Sequence, residues 1–291
     1  MQRTQRRFTL LLAAALAGVL TMLAVAPAGA ASKPSRSNGQ SNRVIFVHGY
    51  APFGKHDCTK YFDTARKHFT SKKWKGNLLT FGYYTNNKKC SANVKGSRET
   101  PIKDVAKEFA NYVSRNYTKK GIKVDVVAHS MGGLVVRAAL HYTHKGAAGF
   151  PKKLYIEDVV TLGTPHAGVT KSRAKFCGKA RQCTDMKPGS SFLKALGSKM
   201  PSTTDNGNMS TDWTTISSYN DETVSESSGI AGTANHEVQY KAGINHGQLI
   251  TAKSTKKYNG RIKHSAKWSK FHKRVSPVEQ ARLAVYYHST T

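Results

Sequence analysis

Short apolar runs, spaced by longer segments with one apolar face, dominate the chain from residue 43 onward. The run at residues 43–48 (RVIFVH) is apolar and β-branched along nearly its whole length. This pattern is typical of a strand buried on both faces of a parallel sheet. Further strands are predicted at residues 77–83, 122–127, 156–162, 213–217 and 237–241.

Helical periodicity fills the intervals between these strands. Residues 58–70 and 134–144 have apolar residues at helical spacing, and a third helix is predicted from Thr100 as N-cap to Gly121. Ser276 begins a capping box that starts a last helix. Strands that alternate with helices predict an α/β fold, with a mostly parallel central sheet covered by helices on both faces. In such sheets, function collects in the loops at the carboxyl ends of the strands.

The beginning of the chain has the pattern of an export signal. Three arginines precede an apolar run over residues 8–26, and Ala28-Gly29-Ala30 fits a cleavage site. The alternative is a membrane anchor, but the run has about the minimum length for a spanning helix. We therefore expect a secreted, extracellular protein with a signal peptide at residues 1–30. Residues 31–42 are polar and predict a disordered lead-in, and residues 43–291 predict a single domain.

The chain has four cysteines, Cys58, Cys90, Cys177 and Cys183. An even number of cysteines behind a signal peptide favours disulfides over free thiols. Three pairings are open. Proximity in sequence favours Cys58–Cys90 and Cys177–Cys183, because short loops cost less entropy to close. The spacing lacks the close pairs of a zinc site. No clustered carboxylate motif is visible either, so we expect no metal and no cofactor.

The chain is strongly basic, with 46 Lys+Arg against 16 Asp+Glu and a formal net charge of +30. Such a surface attracts polyanions, for example anionic lipid surfaces or cell-wall polymers. The lysines are scattered and no nucleic-acid-binding motif is present, so specific nucleic-acid binding is not expected. A generally basic surface on a monomeric secreted protein is the simpler interpretation.

Residues 128–133 (AHSMGG) place a serine between a predicted strand and a predicted helix. A sharp strand–turn–helix corner holds a serine hydroxyl clear of the backbone, and it requires small residues two before and two after the serine. Ala128 and Gly132 meet this requirement. The bare motif arises by chance in roughly one chain in five of this length. The flanking strand and helix make it specific, and they predict Ser130 as a nucleophile.

An oxyanion site is expected beside this serine. In hydrolases with this corner, the N–H after the nucleophile acts together with an N–H from the loop after an early strand. These groups correspond to Met131 and, in the His48-Gly49-Tyr50 turn, to Tyr50.

The acid and the base should follow the nucleophile in that order. Asp221 lies just beyond the predicted strand at residues 213–217, and His246 follows the strand at residues 237–241. His236 precedes that last strand, at the wrong end of the sheet. The acids Asp185, Asp205 and Asp212 compete with Asp221, but no predicted strand ends just before them.

Together these motifs resemble the secreted class 2 lipases of Gram-positive bacteria, which are small α/β-hydrolases related to triacylglycerol lipases. The resemblance is carried by residues 47–49 (VHG), 128–133 (AHSMGG), 162–168 (LGTPHAG), 220–221 (ND) and 246–247 (HG). It spans nearly the whole chain after the signal.

The resemblance implies a catalytic triad of Ser130, Asp221 and His246, with an acyl-enzyme intermediate. Its implied substrates are lipids, as acylglycerols, or simpler carboxylic esters. A small lid or none is expected. The polar stretch at residues 167–212 is hypothesised to form one wall of the acyl pocket or a modest lid.

Two alternatives remain open from sequence. The same triad serves acyltransferases and polyester hydrolases, because a fold and a triad do not fix the substrate. The basic charge alone is also compatible with a catalytically silent protein that binds the cell envelope.

Overall fold

Ten strands of the described chain belong to one sheet. The computed structural model describes residues 33–201, 210–252, 255–264 and 266–287, so the predicted signal peptide lies outside it. The strands are β1 (Arg43–Val47), β2 (Leu78–Gly82), β3 (Ala92–Asn93), β4 (Val124–His129), β5 (Ile156–Leu162), β6 (Asp212–Ser218), β7 (His236–Tyr240), β8 (Tyr258–His264), β9 (Lys267–Trp268) and β10 (His272–Arg274).

Helices connect most of the strands. They are α1 (Cys58–Tyr61), α2 (Asp63–Ser71), α3 (Ile102–Asn116), α4 (Met131–His144), α5 (Lys171–Phe176), α6 (Arg181–Asp185), α7 (Ser191–Leu196), α8 (Glu226–Gly229), α9 (Gln248–Thr251) and α10 (Pro277–Tyr286). No helix in the described ranges is both long enough and apolar enough to span a membrane.

The strand order is β10-β8-β7-β6-β5-β4-β1-β2-β3, with β9 paired to β8. All pairs from β3 across to β7 are parallel, and β8 and β10 add an antiparallel edge. The sheet is therefore mostly parallel, as the alternation of strands and helices predicts.

The sheet has an apolar core on each face because strand side chains alternate between faces. On β1, Ile45 and Val47 pack into the core beneath α3 and α4, whereas Val44 and Phe46 pack into the core beneath α2, α9 and α10. All four side chains are fully buried. This two-sided burial explains the continuous apolar run in the sequence.

The helices differ from the sequence prediction at several boundaries, since α3 ends at Asn116 rather than at Gly121 and α4 begins at Met131 rather than at residue 134. The helix predicted at residues 58–70 is interrupted at Phe62, which separates α1 from α2. Helix α3 begins one residue late. Thr100 does not cap it, because its hydroxyl accepts a hydrogen bond from the Ser97 N–H. The Ile102 N–H at the start of α3 instead donates to the Asp185 carboxylate on α6, at 3.0 Å.

The antiparallel edge formed by β8, β9 and β10 was missed in the sequence because its residues are rich in lysine. Only alternate positions on β8 are buried, among them Gly260 and Ile262. The outward-facing Arg261 packs its guanidinium over the Trp268 and Phe271 rings, with centroid distances of 4.4 and 4.8 Å. Long basic side chains can cover an edge strand in this way while their charges stay in water.

Part of the predicted lead-in is held against the sheet. Arg36 forms an ion pair with Asp158 at 3.0 Å, and Asn42 donates to the Glu157 carboxylate at 2.6 Å. Residues 36–42 are thus ordered, in contrast to the disorder expected for residues 31–42, because β5 offers them buried carboxylates.

Those carboxylates belong to a buried cluster that the sequence did not reveal. The oxygens of Asp125, Glu157 and Asp158 lie within 4.8 Å of one another. A register shift between β4 and β5 occurs at Asp125, which brings it beside the other two acids. Lys123 pairs with Glu157 at 2.8 Å. Burial, followed by the neighbouring carboxylates, raises the pKa of Asp125 well above its usual value.

Candidate active site

Ser130 occupies the turn between β4 and α4 with φ 54° and ψ −131°. A non-glycine residue with positive φ costs of order 1–3 kcal/mol and persists only where its surroundings impose it. The space for this turn depends on Gly132. A Cβ on Gly132 would lie 2.4 Å from the Val47 carbonyl oxygen and 2.5 Å from that of His48. The glycine two residues after the serine is therefore required by the close approach of β1.

The turn is braced by the GTPHAG segment after β5. The Thr164 hydroxyl donates to the Ser130 carbonyl at 2.9 Å, and the Ser130 N–H donates to the Leu162 carbonyl at 2.9 Å. Gly133 leaves room for Thr164, because a Cβ there would lie 2.0 Å from the threonine hydroxyl oxygen. The sequence motif thus has a specific structural task, which is to fix the serine backbone.

Asp221 and His246 meet at the carboxyl end of the sheet. The Asp221 Oδ2 atom lies 2.7 Å from His246 Nδ1. The other oxygen of Asp221 accepts the N–H groups of Thr223 and Val224 at 2.8 and 2.9 Å. These three bonds leave the carboxylate buried and fixed in direction, whereas the imidazole is partly exposed. The pair can therefore hold one imidazole tautomer with its Nε2 atom available.

Ser130 and His246 line the same cavity, of about 320 Å³, at the carboxyl ends of the strands. Val169, Cys177 and Met186 form another part of its wall. The structure therefore places the polar stretch after β5 in the wall of the cavity that contains the candidate nucleophile.

The loop after β1 leaves one backbone donor free beside this cavity. The Gly49 N–H donates to the Tyr61 hydroxyl at 3.2 Å, and the Ala51 N–H donates to the Tyr84 hydroxyl at 3.1 Å. The N–H of Tyr50, which lies between them and lines the cavity, has no hydrogen-bond partner among the residues described. Met131 is the first residue of α4, where the N–H has no acceptor within the helix.

His48 fixes this loop, a task that sequence analysis did not assign to it. Its Nδ1–H donates to the Gly49 carbonyl at 2.8 Å, and its Nε2 accepts from the Asn87 amide at 2.9 Å. The ring stacks on Tyr83 with a centroid distance of 4.2 Å. Burial, with a smaller effect of His56, lowers the pKa of His48 to about 3, so this ring is neutral.

His129 and Tyr61 connect the loop after β1 to the loop that carries His246. The Tyr61 hydroxyl lies 2.6 Å from His129 Nδ1, and His129 Nε2 donates to the His246 carbonyl at 3.0 Å. Burial, and then the nearby His246, lower the pKa of His129 well below its usual value. A neutral ring with these partners positions the His246 backbone. Only the motif context of His129 hinted at this role, and Tyr61 gave no sequence signal.

The competing acids lie elsewhere or are engaged. Asp212 lies 3.2 Å from His236, but both residues are at the starts of their strands, at the opposite end of the sheet from Ser130. Asp185 binds the beginning of α3. Asp205 lies outside the described residues.

Both disulfides favoured by sequence proximity are present. Cys58–Cys90 joins the start of α1 to the loop that carries Asn87, and Cys177–Cys183 joins α5 to α6 at the cavity wall.

A parallel sheet with a strained serine at the strand–helix turn, followed by an acid and a histidine at later strand ends, defines the α/β-hydrolase fold. Residues 38–226 match the family described as "Putative serine esterase (DUF676)". This match covers more than half of the chain, so the chain belongs to that serine esterase family.

Solved structures of lipases and esterases are similar to this chain. Lipase BlEst2 of Bacillus licheniformis in its mature form is 17% identical, with 76% of this chain and 91% of that chain covered and a TM-score of 0.46. Lipase B of Aspergillus fumigatus is 17% identical, with 70% and 45% covered and a TM-score of 0.45. The metagenomic carboxyl esterase MGS0156 is 14% identical, with 89% and 79% covered and a TM-score of 0.47. No curated protein matches the sequence.

Proposed function

We propose that this protein hydrolyses carboxylic esters through a catalytic triad of Ser130, His246 and Asp221. The observation that carries the proposal is the 2.7 Å contact between Asp221 and His246 at the rim of the cavity lined by Ser130. Family membership supports the ester class, and the strained serine turn supports the nucleophile.

In this proposal, His246 Nε2 takes the proton from the Ser130 hydroxyl as its oxygen attacks the ester carbonyl. The N–H groups of Tyr50 and Met131 stabilise the oxyanion of the tetrahedral intermediate. His246 then gives the proton to the leaving alcohol, which produces an acyl-enzyme. A water molecule, deprotonated by the same imidazole, releases the acid and regenerates Ser130. Asp221 keeps the imidazole oriented and stabilises its charged form.

The proposed substrates are acylglycerols or simpler carboxylic esters, with triacylglycerol lipase activity as the most specific form of the proposal. A cavity of about 320 Å³ is at the small end of ligand sites, which favours short acyl groups inside it. Long chains would have to extend along the surface.

We also propose that the enzyme acts outside the cell as a single catalytic domain over residues 43–291, after removal of residues 1–30. Two disulfides support an oxidising compartment, since such bonds are rare in the cytosol.

The test is hydrolysis of p-nitrophenyl esters from acetyl to palmitoyl by the mature protein, by Ser130→Ala and by the matched control Ser198→Ala. Ser198 is exposed and does not line the cavity. We expect Ser130→Ala to lose at least about 10⁴-fold in kcat while Ser198→Ala retains wild-type activity. Ester hydrolysis that survives in Ser130→Ala would overturn the proposed nucleophile.

The acyl profile and the products separate the alternatives. Activity on palmitoyl and on emulsified triacylglycerol supports the lipase, and activity restricted to short chains supports a simple esterase. Preferential transfer to an added alcohol would identify an acyltransferase, and polyester films test the polyester hydrolase. A folded wild-type protein with no activity on any ester would favour the catalytically silent envelope-binding protein.

A further inference from the structure

Two arginines line the candidate active-site cavity, and among the residues that the structure describes no aspartate or glutamate does. Arg98, in the loop before α3, and Arg173, on α5, share this wall with Ser130 and His246. Asp221, the acid of the proposed triad, does not line the cavity. Its carboxylate is hydrogen-bonded to the His246 imidazole and to two backbone N–H groups. The charged side chains of the cavity wall are therefore cationic.

Arg98 and Arg173 are exposed to solvent, and each guanidinium group donates one hydrogen bond to a neutral partner. Arg98 Nη1 donates to the Pro52 carbonyl at 3.0 Å, and Arg173 Nε donates to the Thr223 hydroxyl at 3.2 Å. Pro52 and Thr223 also line the cavity. Each anchor uses one N–H of the five that a guanidinium carries, so most donors stay available to a ligand.

Neither arginine forms an ion pair with a carboxylate in the described part of the chain. Several other arginines do, among them Arg36 with Asp158, Arg181 with Asp185 and Arg282 with Glu279. In a chain with far more bases than acids, an unpaired arginine is by itself ordinary. The distinguishing feature is that two of them, each hydrogen-bonded to another residue of the wall, line one small cavity beside the candidate nucleophile.

Carboxylate and phosphate groups match the fork of a guanidinium, which binds them through two parallel hydrogen bonds. Val169 and Met186, which are buried, form an apolar part of the same cavity wall. A ligand that suits both parts of the wall has a short apolar chain and an anionic group.

We propose that Arg98 and Arg173 form an anion-binding subsite, so that the preferred substrate is a small carboxylic ester carrying a carboxylate or phosphate group. This inference rests on the proposed ester hydrolysis at Ser130. It goes further by naming the class of ester and the residues that select it.

The test compares neutral and anionic esters whose acyl or alkyl chains have the same number of carbon atoms. On the acyl side, methyl hexanoate is compared with monomethyl adipate. On the alcohol side, butyl acetate is compared with 4-acetoxybutanoate and 4-acetoxybutyl phosphate. We expect kcat/KM of the wild type to be about tenfold higher for the anionic ester in at least one comparison. The carboxylate and phosphate arms identify which anion is preferred.

Arg98→Gln and Arg173→Gln are each expected to lower about tenfold the ratio of kcat/KM for the preferred anionic ester to kcat/KM for its neutral counterpart. The matched control is Arg115→Gln, which removes an exposed charge near the end of α3, away from the cavity. A merely structural role of Arg98 or Arg173 would lower the rates of neutral and anionic esters together. Arg173→Lys should restore part of the preference, because it restores the charge without the fork.

The outcomes separate this inference from the proposed function. Equal kcat/KM for neutral and anionic esters in both comparisons, with activity lost in Ser130→Ala, would overturn the subsite and leave the esterase standing. An anionic preference that persists in the Arg98→Gln/Arg173→Gln double variant would overturn the assignment to these residues. Hydrolysis that survives in Ser130→Ala would overturn both proposals. No hydrolysis of any of the five esters by a wild type that hydrolyses p-nitrophenyl esters would overturn the subsite alone.

Discussion

Gly163 lies against both members of the acid–base pair. Its φ is 57°, and a Cβ there would lie 3.0 Å from Asp221 Oδ2 and 3.1 Å from His246 Nδ1. Gly163→Ala should therefore displace the pair and lower kcat by about 10²-fold, since misplacement by about 1 Å has effects of this size.

The chain offers a matched control for this substitution. Gly146 has φ 64° and no atom within 4 Å of an added Cβ, so Gly146→Ala imposes similar backbone strain without contact. Both variants should lose about 1–2 kcal/mol in free energy of unfolding, and only Gly163→Ala should lose activity. An equal loss of kcat in the two variants would contradict the placement of Gly163 against the pair.

His48 couples the stability of the protein to pH. Its pKa falls from 6.5 to about 3 on folding, chiefly through burial. Between these two pH values, His48 is therefore protonated in the unfolded chain and neutral in the folded protein. The stability that its neutral form contributes is therefore complete above pH 6.5 and is lost as the pH falls from 6.5 toward about 3. Between about pH 7.5 and about pH 5, this loss amounts to about 2 kcal/mol.

Urea unfolding at these two pH values measures the effect. His48→Gln should lower stability at pH 7.5 but should show a drop toward pH 5 that is smaller than the wild-type drop by about 2 kcal/mol. Val44→Ala, a core substitution without a titratable group, controls for destabilisation alone and should keep the wild-type drop. An unchanged drop in His48→Gln would show that His48 does not titrate as its burial requires.

The elements that position the site differ in how far they could be predicted from sequence. Strand β1 is a continuous apolar run, and β4 and β5 are mostly apolar apart from their acidic residues. The turn at Ser130 needs only small neighbours and a flanking strand and helix, and all of these are local features. The hydrogen bonds from Tyr61 to His129 and from Asn87 to His48 join residues 68 and 39 positions apart. Such contacts depend on packing in three dimensions, so they cannot be predicted from a local sequence pattern.

The antiparallel edge could not be predicted from sequence for a different reason. Its strands are rich in lysine and arginine, and their alternation is weakened by Gly260 and by short strand lengths. Charged edge strands are common because they discourage pairing with other chains, but their composition resembles that of a loop. Cation–π packing of Arg261, which fixes this edge, leaves no periodic signal in the sequence.

The two disulfides brace different elements and should differ in their contribution to stability. Cys58–Cys90 closes a separation of 32 residues, whereas Cys177–Cys183 closes one of 6. By loop entropy, the first stabilises the folded protein by about 4 kcal/mol and the second by about 2 kcal/mol. Chemical unfolding of Cys58→Ala/Cys90→Ala and of Cys177→Ala/Cys183→Ala measures both. An equal or larger loss for the short loop would contradict this order.

The net charge of +30 belongs to the molecule as a whole and acts at long range. Positive potential raises the local concentration of anionic ligands, and salt screens it. The same positive potential is the reason for the predicted attraction to anionic lipid or cell-wall polymers, which stays a prediction.

Steering by this field should be visible in the kinetics. We expect kcat/KM for monomethyl adipate to fall severalfold between about 0.02 M and about 0.5 M NaCl, while kcat/KM for methyl hexanoate stays nearly constant. Stopped assays with product quantified by chromatography measure both rates in the same buffers. A parallel change for the two esters would show that the charge of the molecule does not guide the substrate.

The central claim is that Ser130 is a nucleophile activated by His246. It is tested most directly by reaction with a p-nitrophenyl alkylphosphonate, in which a serine oxygen attacks phosphorus and p-nitrophenolate leaves. The account predicts release of one equivalent of p-nitrophenolate and a covalent adduct that peptide mass spectrometry places on Ser130. The rate should fall by at least about 10³-fold in His246→Ala. An adduct on another residue, or a rate unchanged in His246→Ala, would contradict the account.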